Sequence, residues 1–352
     1  MTSTAEHGPE AVAGPASGNQ TRTAVDFGDI RREFAALVSG CGVFDISTRA
    51  KVELTGRDRV RWLNGMVSNN IRELAPGSGV YAFLLNPQGH ILADLYAYNR
   101  GESLVVDIDR LQVQKVLELF RRYIIMDKVE LNSSESVSIM GVAGPSAEEV
   151  LRRAGIEVPE LKQLEIADLT WAQTPLTILR GDNPISPCFE LWFPGETGTL
   201  WESLVHSGGR PVGTTAQELW RIASGIPRYG QDIRDRDLPQ ETGQKRALNF
   251  TKGCYIGQEI VERIRSRGTV HRNFTGFEID GPLPAPGTKV QGEGKDLGEI
   301  TSSAALPVAD GERKVALGYI RREAGAPGRE LIAAQSRVRV VELPFKDLAA
   351  RS

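Results

Sequence analysis

The spacing of apolar positions changes period several times along the chain, and each change marks an element. Residues 43–56 read as short strands, after which Arg57–Asn69 carries Val60, Leu63 and Val67 at helical spacing. Val80–Leu85 and Ile91–Tyr98 predict two strands around the turn Asn86-Pro-Gln-Gly89, with proline at the position its fixed φ favours. Leu104–Ile108 is a further strand. Asp109 is placed to cap a helix with Val113, Val116, Leu117 and Phe120 on one face. Val129–Leu131 and Val137–Val142 return to strand. Ser146–Ala154 and Thr199–Ser207 predict helices. A third helix starts at Thr215, where Glu218 completes a capping box, and ends at Gly225 and Pro227. Beyond Gly268 the helical spacing stops. Phe274–Ile279, Thr288–Val290, Gly298–Ser303, Val315–Ile320 and Arg337–Leu343 are β-type runs separated by Gly and Pro, the pattern of a small β-barrel or sandwich. The order strand, helix, three strands, helix, strand in the first half suggests a ferredoxin-like module, so the fold class is α+β. Periodicity alone is equally satisfied by two consecutive α+β units followed by a β-domain.

Length and composition change this picture little. A chain of 352 residues exceeds one ordinary core, and 40% hydrophobic with 25% charged residues is globular. A formal net charge of −3 argues against nucleic-acid binding by phosphate neutralisation. Local basic character remains: Arg221, Arg228, Arg234, Arg236, Lys245, Arg246 and Lys252 share one segment, either a solvated face or the wall of an anion pocket. Cys41, Cys188 and Cys254 are distant and odd in number, which suits a reducing compartment. No His or Cys pairing has metal-ligand spacing, so no metal is expected. No apolar run is long enough to span a membrane. Residues 1–24 resemble neither a signal nor a transit peptide and read as a disordered tail, so cytoplasm is the expected compartment.

The densest chemistry lies in Lys252-Gly-Cys-Tyr-Ile-Gly-Gln-Glu259, continuing to Arg263. Gly253 and Gly257 permit positive φ or close approach, and a helix beginning near Gly257 would favour a thiolate at Cys254. Glu259 and Arg263 have the spacing of a helical ion pair. Cys254 is then a presented thiol; the alternative is a small buried core residue. This motif resembles the signature of the YgfZ-type folate-binding proteins, which include an iron–sulfur assembly factor and are relatives of the T-protein (aminomethyltransferase) of the glycine cleavage system.

The resemblance spans most of residues 25–346 and implies more than the motif. It implies three parts around a central folate channel. These are a discontinuous α+β folate-binding domain (25–52 and 137–250), a ferredoxin-like domain (53–136) and a β-barrel (270–346), with the motif and its helix at 251–269. The ligand implied is tetrahydrofolate or another reduced folate. A pterin ring offers adjacent N–H donors that one carboxylate can accept, its faces want an aromatic wall, and its glutamate tail wants a cation. Matched to the T-protein pattern, Arg221 to Arg234 and Leu238-Pro-Gln-Glu241 assign Glu241 to the pterin edge and Tyr229 to a wall, with Arg221 and Arg228 around them. The motif adds Lys252, Tyr255, Gln258, Glu259 and Arg263 as binding residues. Arg61 to Asn70 resembles the family's first helix end, and Tyr81 to Leu95 its folate-side hairpin.

Two departures stand out. Where T-proteins carry an Asp-Asp pair in the hairpin this chain has Ala93-Asp94, and their acidic residue after the first helix is Asn70 here. An Asn cannot titrate, which weakens acid/base transfer chemistry and leaves Asp94 as the surviving carboxylate. The preferred reading is a tetrahydrofolate-binding protein that supports assembly or repair of iron–sulfur proteins through Cys254, with client or assembly proteins as partners. The alternative is a folate-dependent aminomethyltransferase or demethylase; a third is an interaction protein with a vestigial pocket.

Overall fold

The computed structural model describes residues 24–348 apart from 135, 136, 197, 269 and 310. The tail expected over 1–24 therefore lies almost wholly outside the described residues. Two sheets and a barrel make up the molecule. The first sheet has five antiparallel strands in the order Gly79–Leu85, Ile91–Asn99, Leu104–Asp109, Arg49–Thr55, Glu130–Ser134. Helices Arg59–Met66 and Val113–Tyr123 cover one face, burying Leu54, Leu63, Ala93, Leu95 and Phe120 in one cluster. Trp62 packs edge-on against Phe120 at 5.1 Å, and its indole N–H donates to the Tyr123 carbonyl at 3.1 Å.

The second sheet has six strands: Arg210–Pro211, Gly42–Asp45, Val137–Ala143, Cys188–Pro194, Thr174–Arg180, Ile166–Trp171. Helices Ala147–Arg153 and Gly198–His206 close its outer face over Met140, Val142, Phe189 and Leu191. Gly42–Asp45 pairs with Val137–Ala143, so the whole five-stranded module sits in the connection between two neighbouring strands of this sheet. The free faces of the two sheets turn towards each other, with Tyr98, Val105, Ile139, Ile166, Leu179 and Trp192 packed between them. Strands Arg272–Asp280, Lys289–Gly292, Lys295–Val308, Gly311–Arg321, Glu330–Ala333 and Ser336–Val341 form a closed six-stranded barrel. Buried Asp232 ties that barrel to the middle of the chain, accepting from Arg221 at 2.7 Å and from the Ser302 hydroxyl at 2.7 Å.

Several elements escape the periodicity. Helix Ile30–Ser39 opens with Arg31, Arg32 and Glu33, yet Asp29 caps it by accepting from Arg32 N at 3.0 Å, and Phe34 and Leu37 are fully buried. Strands Ile166–Trp171 and Thr174–Arg180 are joined through Ala172 and Gln173 at φ 47° and 64°, residues that give no turn signal. Cys188–Pro194 and Glu330–Ala333 are too short or too evenly apolar to stand out. The capping box expected at Thr215 and Glu218 does not form. The helix runs Thr214–Ala223, its first N–H groups donate to the carbonyls of Ala24 and Val25, and Glu33 accepts from Gly213 N at 2.8 Å. Glu218 is taken instead by Arg221 and Arg228. Among the described residues, no helix is long and apolar enough to cross a membrane.

Candidate functional site

The hairpin Gly79–Leu85/Ile91–Asn99 sets the chemistry of the inter-sheet face. Side chains alternate along a strand, so Ala93, Leu95 and Ala97 go under the helices while Asp94 and Tyr96 emerge on the other side. The register pairs Tyr81 with Tyr96 and Phe83 with Asp94. The two tyrosine rings lie 4.9 Å apart, and the Tyr81 hydroxyl donates to Asp94 Oδ2 at 2.8 Å. Burial, reinforced by Asp94, pushes the Tyr81 phenol far above its ordinary range, so it stays a donor. Position 93 is fully buried in the helix-covered core, where a carboxylate would be costly, while Asp94 projects from the opposite face of the hairpin beside the Tyr81 hydroxyl.

Opposite the hairpin stands Glu190 on Cys188–Pro194, between Phe189 and Leu191, whose side chains go to the outer core. Its Oε2 receives Lys51 Nζ at 3.1 Å and the Trp192 indole N–H at 3.0 Å. No described residue donates to Oε1. Lys51 also pairs with Asp107 at 2.8 Å and sits 4.4 Å over the Trp192 ring, and Arg49 reaches Asp107 at 2.9 Å. Burial would raise the Asp107 carboxyl, but the Arg49 and Lys51 cations outweigh it and hold it below the usual carboxylate range. Two cations thus balance two carboxylates in a buried, fixed array that leaves one Glu190 oxygen available.

That oxygen's residue lines an inner cavity of about 210 Å³, with Arg49, Tyr96, Tyr98, Asp182 and Trp220 among its walls. A larger cleft of about 760 Å³ runs out from it towards the barrel, past Arg246, Gln244, Asn273 and Phe274. Leu164, Asp182 and Ile226 belong to both, so they form the neck. Arg246 is ion-paired with Asp182, and its guanidinium lies 4.5 Å over the Tyr81 ring and 6.0 Å from that of Tyr96. Asn69 fixes the Arg246 backbone: its amide donates to the carbonyls of Tyr81 and Arg246, both at 2.8 Å.

None of the site residues singled out from the sequence lines the cavity or the cleft, although Asp94 shares the Tyr96 side of the hairpin. Glu241 is buried, but its Oε2 accepts from Arg272 at 2.9 Å and from Leu238 N at 3.3 Å, which makes it a tie to the barrel. Arg221 is enclosed by Glu218, Asp232 and the Ile226 carbonyl. Arg228 is exposed and pairs with Glu218 at 2.5 Å. The Tyr229 hydroxyl accepts from Lys115 at 2.9 Å and donates to Asp235. None of these four lines the cavity or the cleft, and neither does Cys254.

The motif is an anchored loop. Lys252 is buried and donates to the carbonyls of Asn64, Val67 and Asn69 at 2.6, 2.7 and 2.6 Å, the oxygens a helix end leaves unpaired. Burial pulls its amine down to about 7. Ile256 N donates to the Gly65 carbonyl at 3.2 Å. Gly257 has φ +83°, and a Cβ there would meet the Asn86 carbonyl at 2.6 Å, so glycine is required at that point. Gly253 shows neither constraint. Gln258 opens helix Gln258–Arg267 and accepts from Tyr255 N at 3.3 Å, while the Tyr255 side chain is buried. Glu259 and Arg263 are exposed and do not pair with each other; the ion pair on this helix joins Arg265 to Glu262 at 3.1 Å. Cys254 itself is exposed, which disposes of the core reading of that residue.

Sequence reasoning missed Glu190, Asp182, Arg49 and Lys51. One signal was available: a lone carboxylate at 190 within Phe189-Glu-Leu-Trp-Phe193, where a strand otherwise apolar on both faces must partner or present it.

The profile described as the GCVT N-terminal domain matches residues 9–252. The aminomethyltransferase of Rippkaea orientalis is 29% identical over 323 residues, 87% of this chain and 85% of that protein. That of Rubrobacter xylanophilus is 28% identical over 329 residues, 91% of this chain and 87% of its own length. In three dimensions the chain resembles the glycine cleavage system aminomethyltransferase T from Bartonella henselae, with a TM-score of 0.81 at 21% identity over 95% of this chain and 97% of that one. A sheet interrupted by a five-stranded module, a closing barrel and a profile covering more than half of the residues together place this chain in the GCVT N-terminal domain family, within the T-protein superfamily.

Proposed function

We propose that the inter-sheet cavity binds a reduced folate and that the protein handles a one-carbon unit carried on it, as a tetrahydrofolate-dependent enzyme of aminomethyltransferase or demethylase type. The observation that carries this reading is Glu190, a carboxylate with Oε2 held by Lys51 and Trp192 and Oε1 uncommitted beside the aromatic walls Tyr96 and Trp220. A 2-aminopyrimidinone edge offers an N–H donor to that free oxygen, and a charged hydrogen bond of this kind is worth about 1.5–3 kcal/mol. Asp94 is the candidate acid/base. It faces the same side of the hairpin as Tyr96 and is oriented by the Tyr81 hydroxyl. The resemblance of the relatives named aminomethyltransferase over nearly their full length supports the same class. The test is turnover: purified protein with tetrahydrofolate and either an aminomethyl-lipoyl carrier or an N-methylated amine is expected to yield methylene-tetrahydrofolate. Folate binding without any turnover on these donors would leave a carrier or sensor in place of an enzyme.

A second reading rests on a different observation, the exposed thiol of Cys254 on its anchored YgfZ-like loop. Here the folate protein supports iron–sulfur proteins through that thiol. Restoration of iron–sulfur enzyme activities in a knockout strain by wild type and not by Cys254→Ser is the expected result; full restoration by the variant removes this reading.

A further inference from the structure

The inner cavity, at about 210 Å³, has room for a flat bicyclic head group and not for a whole elongated ligand, whereas the outer cleft of about 760 Å³ has the size of an ordinary small-molecule site. A ligand that seats its head between the sheets can extend its remainder past the shared neck into the cleft. At the neck stand Asp182, shared by both spaces, and Arg246, stacked on Tyr81 and paired with Asp182. Asp182 is also held by the Tyr96 hydroxyl, which donates to its Oδ1 at 3.3 Å. Among the described residues, the outer cleft is lined by two carboxylates, Asp182 and Glu342, and by one cation, Arg246; its other polar walls, including Gln163, Gln244, Asn273 and Thr275, are neutral.

On this basis, and resting on the folate reading, we propose that the Arg246–Asp182 pair is a latch that selects ligands with an anionic tail. The tail carboxylate replaces Asp182 as the partner of Arg246, which stays on its tyrosine platform, and Asp182 keeps its bond from Tyr96. A neutral tail cannot take the guanidinium from Asp182 and leaves the neck closed. With Arg246 gone, an anionic tail meets only the carboxylates of Asp182 and Glu342.

The experiment compares tetrahydrofolate with tetrahydropteroate, which has the same head without the glutamate, by anaerobic titration calorimetry. Wild type is expected to prefer tetrahydrofolate by about 10–100-fold, the value of one charged hydrogen bond. Arg246→Gln removes both the tail's partner and the latch, so that ratio should come to near one as tetrahydrofolate weakens and tetrahydropteroate gains, and Arg246→Lys should retain part of it. Asp182→Asn releases the latch, so tetrahydrofolate should bind at least as tightly as in wild type while tetrahydropteroate gains affinity, narrowing the ratio. A wild-type ratio near one, or a ratio unchanged in Arg246→Gln, overturns the latch while the folate reading stands. Failure of wild type to bind either compound overturns both. Should Arg246→Gln not fold, as judged by its melting curve, the ratios in Arg246→Lys and Asp182→Asn decide: an unchanged ratio in either overturns the latch.

Discussion

The loop Lys252–Arg263 and the inter-sheet cavity invite comparison, because the first dominates the sequence and the second dominates the structure. The loop spends its distinctive residues on staying in place: Lys252 closes a helix end, Gly257 admits the Asn86 carbonyl, and Gln258 holds the Tyr255 backbone. What it presents to solvent is one thiol and the charges of Glu259 and Arg263, unpaired among the described residues. The cavity region is built from single residues scattered over five strands and a connecting segment, none in a motif, and yet it gathers a balanced charge array, two packed tyrosine rings and a spare carboxylate oxygen. A dense motif therefore marks the greatest constraint on backbone and packing, and this need not be where a ligand sits. The two regions are linked through Asn69, whose carbonyl accepts from Lys252 and whose amide holds Arg246.

The sharpest way to break the comparison is Lys252→Met. Losing the ammonium strands three buried carbonyls, and about 3–5 kcal/mol of stability should go, read as a lowered urea midpoint. A loss under about 0.5 kcal/mol, the range of an ordinary surface change, would mean the motif lysine is not an anchor. Asp94→Asn should lower turnover by about 10²–10⁴ while folate affinity holds, the signature of a lost proton-transfer group. A parallel fall in affinity would make Asp94 a binding residue instead.

How much of this was legible beforehand follows the same division. The hairpin, the barrel strands and the switch from helical to strand spacing are local patterns, and they could be read directly. The alternation that puts Asp94 on one face and Ala93 on the other was also present in Ile91-Leu-Ala-Asp-Leu-Tyr96, although which face is the core becomes clear only once the helices pack. Glu241 was read from a family pattern, which does not say what else will claim a carboxylate, and Arg272, 31 residues later, does so. Glu190 was invisible because its importance comes from Lys51, 139 residues away, and from a cavity that exists only between two assembled sheets.

A smaller effect concerns pH. Burial would raise the Glu299 carboxyl, but Lys289 and Arg234 outweigh it and bring it down to about 2 from its ordinary 4.5. Its folded value lies below its unfolded one, so its stabilisation is present above about 4.5 and is lost as pH falls towards 2. Glu299→Gln should flatten that part of the acid-unfolding profile, and an unchanged profile would show that the bridge between Arg234 and the barrel adds nothing. The smallest effect is expected at Cys254→Ser, an exposed position, where stability should stay within about 0.5 kcal/mol of wild type.

Reduced-folate affinity, measured side by side on Glu190→Gln and Cys254→Ser, addresses the central claim most directly. The first should lose about 10–100-fold, as for a charged hydrogen bond, and the second should bind as wild type does. The reverse order, with Cys254→Ser weakened and Glu190→Gln intact, would contradict it and return the ligand to the motif loop.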